Sequence, residues 1–120
     1  MAGSTEKRKA PRIQPYVAPC RLVHAGRRLA GYVVELSLLG ARVSCDVAPP
    51  DVAEQVVLEV RFSRQAVFSP LSAEVKWTRP PDAEGSTHLV GLIFRDVSAE
   101  QQRTLDRVLD EFRRRAALLA

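Results

Sequence analysis

The first residues in this chain whose types and spacing could bind a ligand lie in "KRKAPR" (7–12). Arg8 and Arg12 are separated by three residues, and Lys7 directly precedes the pair. A guanidinium group can donate two hydrogen bonds to a phosphate or to the O6/N7 edge of guanine, and it can stack on a purine. Alone, this pattern is very weak evidence for a ligand site, because the same spacing arises by chance wherever arginine is common.

The second pattern is "ELSLLG" (35–40), in which Glu35, Ser37 and Gly40 are spaced two and three residues apart. Gly40 is expected to permit a positive φ at a turn, because glycine has no Cβ. Ser37 can bond neighbouring backbone N–H groups or a ligand oxygen. Alone, this stretch is also compatible with a plain connection between two strands.

Motifs of other chemistries are missing from the sequence. There is no nucleophile elbow, phosphate-binding glycine loop, HExxH sequence or pair of catalytic carboxylates, so we expect no enzyme. The spacings of Cys20, Cys45, His24 and His88 match no zinc module, so no metal site is expected and the cysteines are interpreted as small core residues. No cofactor is predicted.

Length and charge restrict the class of protein further. A chain of 120 residues is long enough for one core, and its net charge of +4 favours an anionic partner. No apolar run approaches the roughly 20 residues of a membrane span. The first residues lack the apolar segment of a secretory signal, so the cytoplasm is the expected location.

The elements that must position these residues are mostly strands. Residues 1–15 are predicted to form an extended, flexible arm, because Pro11 and Pro15 disfavour helix in the residues before them. Short β-type runs separated by turn residues follow at 16–24, 28–36, 40–46, 55–62, 71–79 and 86–94. Alternation places one apolar set inward, which includes Ala41, Val43, Cys45, Val56, Leu58, Val60, Phe62, Ala73, Val75, Trp77 and Phe94.

The last segment changes to a helical period. Ser98 and Gln101 have the spacing of a capping box. Apolar residues then recur on one helical face, at Leu105, Val108, Leu109, Phe112, Ala116 and Leu119. The predicted fold is therefore mainly β: a small six-stranded antiparallel barrel with a C-terminal amphipathic helix and an extended N-terminal arm.

In this order and on this fold, the two patterns resemble the signature of the PilZ domain, a bacterial receptor module for cyclic di-GMP. That signature is RxxxR on an N-terminal arm, followed by (D/N)xSxxG at a turn between two barrel strands. Arg8 and Arg12 match its first half, and Ser37 and Gly40 match its second half.

Later segments extend the resemblance to residues 7–112. "AEVKW" (73–77) and "HLVGLIFRDVS" (88–98) are similar to the late strands and helix entry of the family. The resemblance implies an arm at 1–15 that carries RxxxR, a barrel at 16–97 and a packed helix at 98–120.

The resemblance also implies a function. The chain would be a non-catalytic effector of the bacterial cytoplasm that binds cyclic di-GMP through Lys7, Arg8, Arg12, Glu35, Ser37 and Gly40. Its arm would close over the ligand and alter a surface for a downstream protein partner.

Glu35 departs from the family pattern, which has Asp or Asn at this position. The additional methylene displaces an acceptor by about 1.5 Å, which a hydrogen bond of about 2.9 Å does not tolerate without adjustment. A degenerate PilZ module that docks on a protein, with weak or no ligand binding, is therefore the alternative. A basic barrel that binds nucleic acid is a third reading, disfavoured because Trp77, Phe62 and Phe94 are predicted inward and few stacking surfaces remain.

Overall fold

The computed structural model of the chain describes residues 18–60, 70–82 and 87–119. The strands are β1 (Ala18–His24), β2 (Arg27–Leu36), β3 (Gly40–Cys45), β4 (Gln55–Val60), β5 (Leu71–Arg79) and β6 (His88–Phe94), and they are followed by α1 (Ala99–Leu119). The strands form a closed antiparallel barrel in the order β1-β2-β3-β6-β5-β4. This confirms the predicted fold class. The predicted arm, the inward placement of Phe62 and the helical face residues Phe112, Ala116 and Leu119 lie outside the residues or side chains described.

The barrel interior follows the predicted alternation on most strands. The inward residues of β3 and β4 are almost fully buried: Ala41, Val43, Cys45, Val56, Leu58 and Val60. Leu71, Ala73 and Val75 continue the same layer on β5. Burying large aliphatic side chains stabilises a fold by about 1.5–3 kcal/mol each, so this interior is the main source of stability.

Two register shifts interrupt the alternation and turn side chains outward. In β2, the pairing with β3 shifts between Val33 and Glu35. Glu35 therefore pairs with Arg42, which points outward, whereas Leu36 pairs with Ala41 and is fully buried. A bulge inserts one extra residue into a strand, so that the next side chain changes face.

The second shift corrects the prediction for Trp77. The pairing between β5 and β6 shifts between Val75 and Trp77. Val75 faces the core opposite Leu92, but Trp77 pairs with Gly91, which lies opposite Arg42 on the outer face. The prediction that Trp77 points inward was wrong because the extra residue at the bulge reverses the alternation.

The helix begins where its capping residues predict. The Ser98 N–H donates to Gln101 Oε1 at 2.9 Å, and the Gln101 N–H donates to Ser98 Oγ at 3.1 Å, which confirms the capping box. Gln101 Nε2 also donates to the Pro70 carbonyl at 3.0 Å, which ties the first turn to the entry of β5. Leu105 and Leu109, at 0% and 1% exposure, belong to the same apolar core as the barrel. No helix among the described residues is long and apolar enough to span a membrane.

Candidate functional site

Ser37 closes the tight turn between β2 and β3. Its Oγ accepts hydrogen bonds from the Leu39 N–H at 3.1 Å and from the Gly40 N–H at 3.2 Å. The Ser37 N–H donates to the Gly40 carbonyl at 2.9 Å. Ser37 is buried, at 6% exposure. The local backbone bonding expected of this serine is confirmed, so Ser37 holds the turn through contacts within the turn itself.

Gly40 is required for a reason other than the expected one. Gly26 is the glycine with a positive φ among the described residues, and Gly40 is not. A Cβ on Gly40 would instead overlap the Leu92 carbonyl on β6 and lie 3.2 Å from Cα of Ile93. The prediction of a positive φ was wrong: glycine is needed here because two backbones approach closely.

Glu35 lies beside Arg42 on the outer face of the barrel. Arg42 Nη2 is 3.6 Å from Glu35 Oε1, with the Glu35 side chain only 10% exposed and that of Arg42 28% exposed. The contact joins two neighbouring strands through side chains of opposite charge. At this burial the attraction is screened less than at a fully exposed surface.

Trp77 packs against Gly91, whose lack of a Cβ leaves room for the indole. A Cβ on Gly91 would be 2.8 Å from Trp77 Cδ1 and closer still to Cε2 and Nε1. The indole therefore covers Gly91 from outside the barrel. The guanidinium carbons of Arg42 and Arg79 each lie 5.6 Å from the indole ring, within the range of a cation–π interaction.

These four residues form one group, which we call the outer-face cluster: Glu35, Arg42, Trp77 and Arg79. Arg42 is two residues after Gly40 on β3, so the cluster lies about 7 Å from the turn. Glu35, Ser37 and Gly40 of the predicted site are therefore brought together by the β2–β3 connection. Lys7, Arg8 and Arg12 lie outside the described residues.

Arg42, Trp77 and Arg79 were not among the predicted site residues. They come from β3 and β5, which lie on either side of β6. Gly91 pairs with both Arg42 and Trp77, and this register brings the two side chains together. In the sequence, the glycine in "HLVGLIF" could have indicated this contact, because a strand glycine often marks a close approach of another group.

The two thiols are not candidates for reactive chemistry. Burial raises the pKa of Cys20 to about 12 and that of Cys45 to about 11. Both side chains stay neutral at physiological pH, and a neutral thiol is a poor nucleophile and metal ligand. Within 18–60, 70–82 and 87–119, no three His, Cys, Asp or Glu residues are grouped closely enough to hold a metal ion.

A cavity of about 240 Å³ lies at the other end of β2 from the predicted site. Its lining includes His24 and Glu54, whose side chains contact each other at 2.8 Å. No residue of the outer-face cluster or of the β2–β3 turn lines it.

The arrangement of the candidate site is suited to a flat, anionic ligand. An indole face flanked by two guanidinium groups can stack on a base, and the arginines can contact phosphate. The sequence model of the PilZ domain matches residues 6–111. The chain belongs to the PilZ domain family. This confirms the resemblance that the two sequence patterns indicated.

Solved PilZ structures share the fold of this chain. The PilZ domain of YcgR from Escherichia coli, with c-di-GMP, has a TM-score of 0.76 and 21% identity, covering 92% of this chain and 95% of that one. MrkH of K. pneumonia, in complex with c-di-GMP, has a TM-score of 0.79 and 16% identity over 97% of this chain. Bacillus subtilis MotI/DgrA, an inhibitor of motility, has a TM-score of 0.70 and 17% identity over 93% of this chain.

The longer PilZ proteins contain more than this chain. The chain covers 48% of the longer YcgR structure, 57% of MrkH and 52% of MotI/DgrA. No curated protein is significantly similar to the chain in sequence.

Proposed function

We propose that this PilZ chain is a non-catalytic receptor for cyclic di-GMP, acting on a downstream protein partner in the bacterial cytoplasm. The observation that carries the proposal is the outer-face cluster beside the Ser37–Gly40 turn, in a chain that also has Arg8 and Arg12 in the family spacing. Cyclic di-GMP has two phosphates and two guanines, so its receptor needs cations, a base platform and an acceptor for guanine N–H groups.

Charge supports this ligand. Lys7, Arg8 and Arg12 would bring three cations to a face that already holds Arg42 and Arg79, against the single carboxylate of Glu35. The two phosphates, with one negative charge each, would offset half of this excess. Charge-assisted hydrogen bonds from arginine to phosphate are about twice as strong as neutral ones, and they are often bidentate.

The indole of Trp77 supplies the base platform in this proposal. It lies over Gly91 on the outer face, and a purine could stack on its solvent side. Stacking of a base on an aromatic side chain contributes about 1–3 kcal/mol. Glu35 would accept hydrogen bonds from guanine, and Ser37 and Gly40 would hold the turn against which the ligand lies.

The arm completes the mechanism. Unbound, the cations of the proposed arm at 1–15 repel one another, and neutralisation of Arg8 and Arg12 by the phosphates would draw the arm over the barrel. Ordering of a segment by a ligand is a common way to create a surface for a partner. The division into this arm, a barrel at 16–97 and a helix at 98–120 remains a prediction.

Isothermal titration calorimetry with purified protein tests the proposal. We expect binding of cyclic di-GMP that Arg8→Ala or Arg12→Ala weakens by at least about tenfold, the loss expected of one charge-assisted contact. Arg103→Ala, an exposed arginine on the outer side of α1, is the matched control and should leave the affinity unchanged. No heat of binding by the wild type at high micromolar ligand would refute the proposal.

A degenerate PilZ module that docks on a protein without the ligand is the second candidate. Glu35 favours it, because the residue is longer than the family's Asp or Asn and its carboxylate already contacts Arg42. Glu35→Asp separates the two candidates. If the native site has drifted, this substitution restores binding; if the site is functional with Glu35, it does not improve it.

A further inference from the structure

Arg42 occupies the central position of the outer-face cluster. Its Nη2 is 3.6 Å from Glu35 Oε1, and its guanidinium carbon is 5.6 Å from the Trp77 ring. A single side chain therefore contacts both the proposed guanine acceptor and the proposed base platform. Because the guanidinium group is planar and rigid, a shift at one contact is transmitted to the other.

The Nε–H group of Arg42 is buried and has no hydrogen-bond partner among the residues that the structure describes. A buried donor without a partner is unfavourable, and native proteins keep few of them. This Nε–H group therefore contributes no hydrogen bond to the barrel. What Arg42 contacts is the carboxylate on one side and the indole on the other.

We propose that Arg42 is a positioning residue that adapts this site to Glu35, by fixing the longer carboxylate for guanine and coupling it to Trp77. This inference deepens the proposed function and rests on it. The additional methylene of Glu35, which would misplace the carboxylate in the usual family geometry, is what lets it reach Arg42. An aspartate would withdraw the oxygens by about 1.5 Å, to about 5 Å from the guanidinium.

Arg79 provides a matched control on the same indole. Its guanidinium carbon is also 5.6 Å from the Trp77 ring, but among the described residues it has no carboxylate partner. The two arginines have the same charge and the same distance to the ring. Of these two arginines, Arg42 is the one that contacts Glu35.

The first test is a double-mutant cycle on ligand affinity. Arg42→Gln and Arg79→Gln are each made in the wild-type background and in the Glu35→Gln variant. Calorimetry then measures the affinity of every variant for cyclic di-GMP and for cyclic di-AMP. We expect Arg42→Gln to weaken cyclic di-GMP binding at least about fivefold more than Arg79→Gln, and to reduce discrimination against cyclic di-AMP. This additional loss should disappear when Glu35→Gln is present.

Equal losses for the two arginines, additive with Glu35→Gln, would overturn the proposal, because charge near the indole would then explain both. Improved binding by Glu35→Asp would also overturn it, since that variant loses the contact with Arg42. Arg42→Lys keeps the charge without the planar fork, and it should bind like Arg42→Gln if the fork fixes Glu35. Circular dichroism and thermal unfolding confirm that each variant is folded.

A second test needs no ligand and separates this inference from the proposed function. Trp77 is the only tryptophan of the chain, so its emission reports on the cluster. Glu35→Gln should shift that emission in the wild-type background and in the Arg79→Gln variant. It should not shift the emission in the Arg42→Gln variant. Absence of cyclic di-GMP binding would refute the proposed function and the role towards guanine, and would leave the coupling of Glu35 to Trp77 through Arg42 to this second test. An emission unchanged by Glu35→Gln in the wild-type background would refute the coupling.

Discussion

Replacement of Gly91 by alanine should move Trp77 without unfolding the barrel. The added Cβ would be 2.8 Å from Trp77 Cδ1, whereas ordinary contacts between carbon atoms are about 3.5–4.0 Å. Cε2 and Nε1 would lie closer still, so the indole must move outward by more than about 1 Å, because the Gly91 backbone is fixed by pairing with Arg42 and Trp77 on both sides.

The expected effects on stability nearly cancel. The two arginines lie 5.6 Å from the ring, close to the limit of about 6 Å, so the displacement removes much of an attraction of about 0.5–1 kcal/mol for each. Alanine is more favourable than glycine within a strand by about 0.5–1 kcal/mol. We expect the free energy of unfolding to fall by less than about 1 kcal/mol.

Ligand affinity should change far more than stability. Loss of the stacking surface removes about 1–3 kcal/mol of binding, which corresponds to about 5- to 150-fold weaker affinity for cyclic di-GMP. Calorimetry measures the affinity, and the emission maximum of the single tryptophan measures the displacement of the ring.

Gly26→Ala is the control for this experiment. An added Cβ there meets no atom within 4 Å, and the residue lies in the β1–β2 turn. Because Gly26 has a φ of +79°, alanine there lowers the stability by about 1 kcal/mol, but it should leave the emission and the affinity unchanged. If Gly91→Ala also leaves the emission and the affinity unchanged, the indole does not pack against Gly91 and the reasoning about the outer-face cluster is refuted.

Three further predictions concern stability. Gly40→Ala should lower the free energy of unfolding by about 3 kcal/mol in chemical denaturation, because the added Cβ overlaps the Leu92 carbonyl; no loss would contradict the close approach. Leu109→Ala should cost about 2–5 kcal/mol in the same assay, since its fully buried side chain joins α1 to the core, and a loss below 1 kcal/mol would show that the helix is not packed there. Cys20 and Cys45 should resist a thiol reagent at pH 8 until the protein unfolds. Their folded pKa values, about 12 for Cys20 and about 11 for Cys45, exceed the pKa of an unfolded thiol, which is near 8.5. The neutral thiols therefore stabilise the fold fully below about pH 8.5, and this contribution is lost as the pH rises towards 12. The Tm of a variant with both cysteines replaced by alanine should therefore fall less between pH 9 and pH 11 than that of the wild type, and identical slopes would contradict the assignment.

Most of the fold could be predicted from local patterns. Strict alternation in "GARVSC" and "QVVLEV" sets both the strands and their inward faces, and Ser98 with Gln101 sets the start of α1. These features depend on residues close together in the chain. The same is true of the Ser37–Gly40 turn, whose hydrogen bonds are local.

The rest depended on information that a single sequence lacks. A bulge is one extra residue without a characteristic composition, so the inward prediction for Trp77 failed while that for Val75 was confirmed. The contact of Arg42 with Trp77 required the order β3-β6-β5, which only the closed barrel establishes. Gly40 was assigned to the right position for the wrong reason, because its neighbour in space is Leu92, more than fifty residues away.

The two register shifts have a consequence for how such domains diverge. If either strand lost its bulge but kept the surplus residue, regular alternation would return Glu35 or Trp77 to the barrel interior and shift every residue after it by one position. Recognition could thus be abolished while every residue of the signature is still present. When related chains are compared, the pairing register of these two strands is therefore as informative about ligand competence as residue identity.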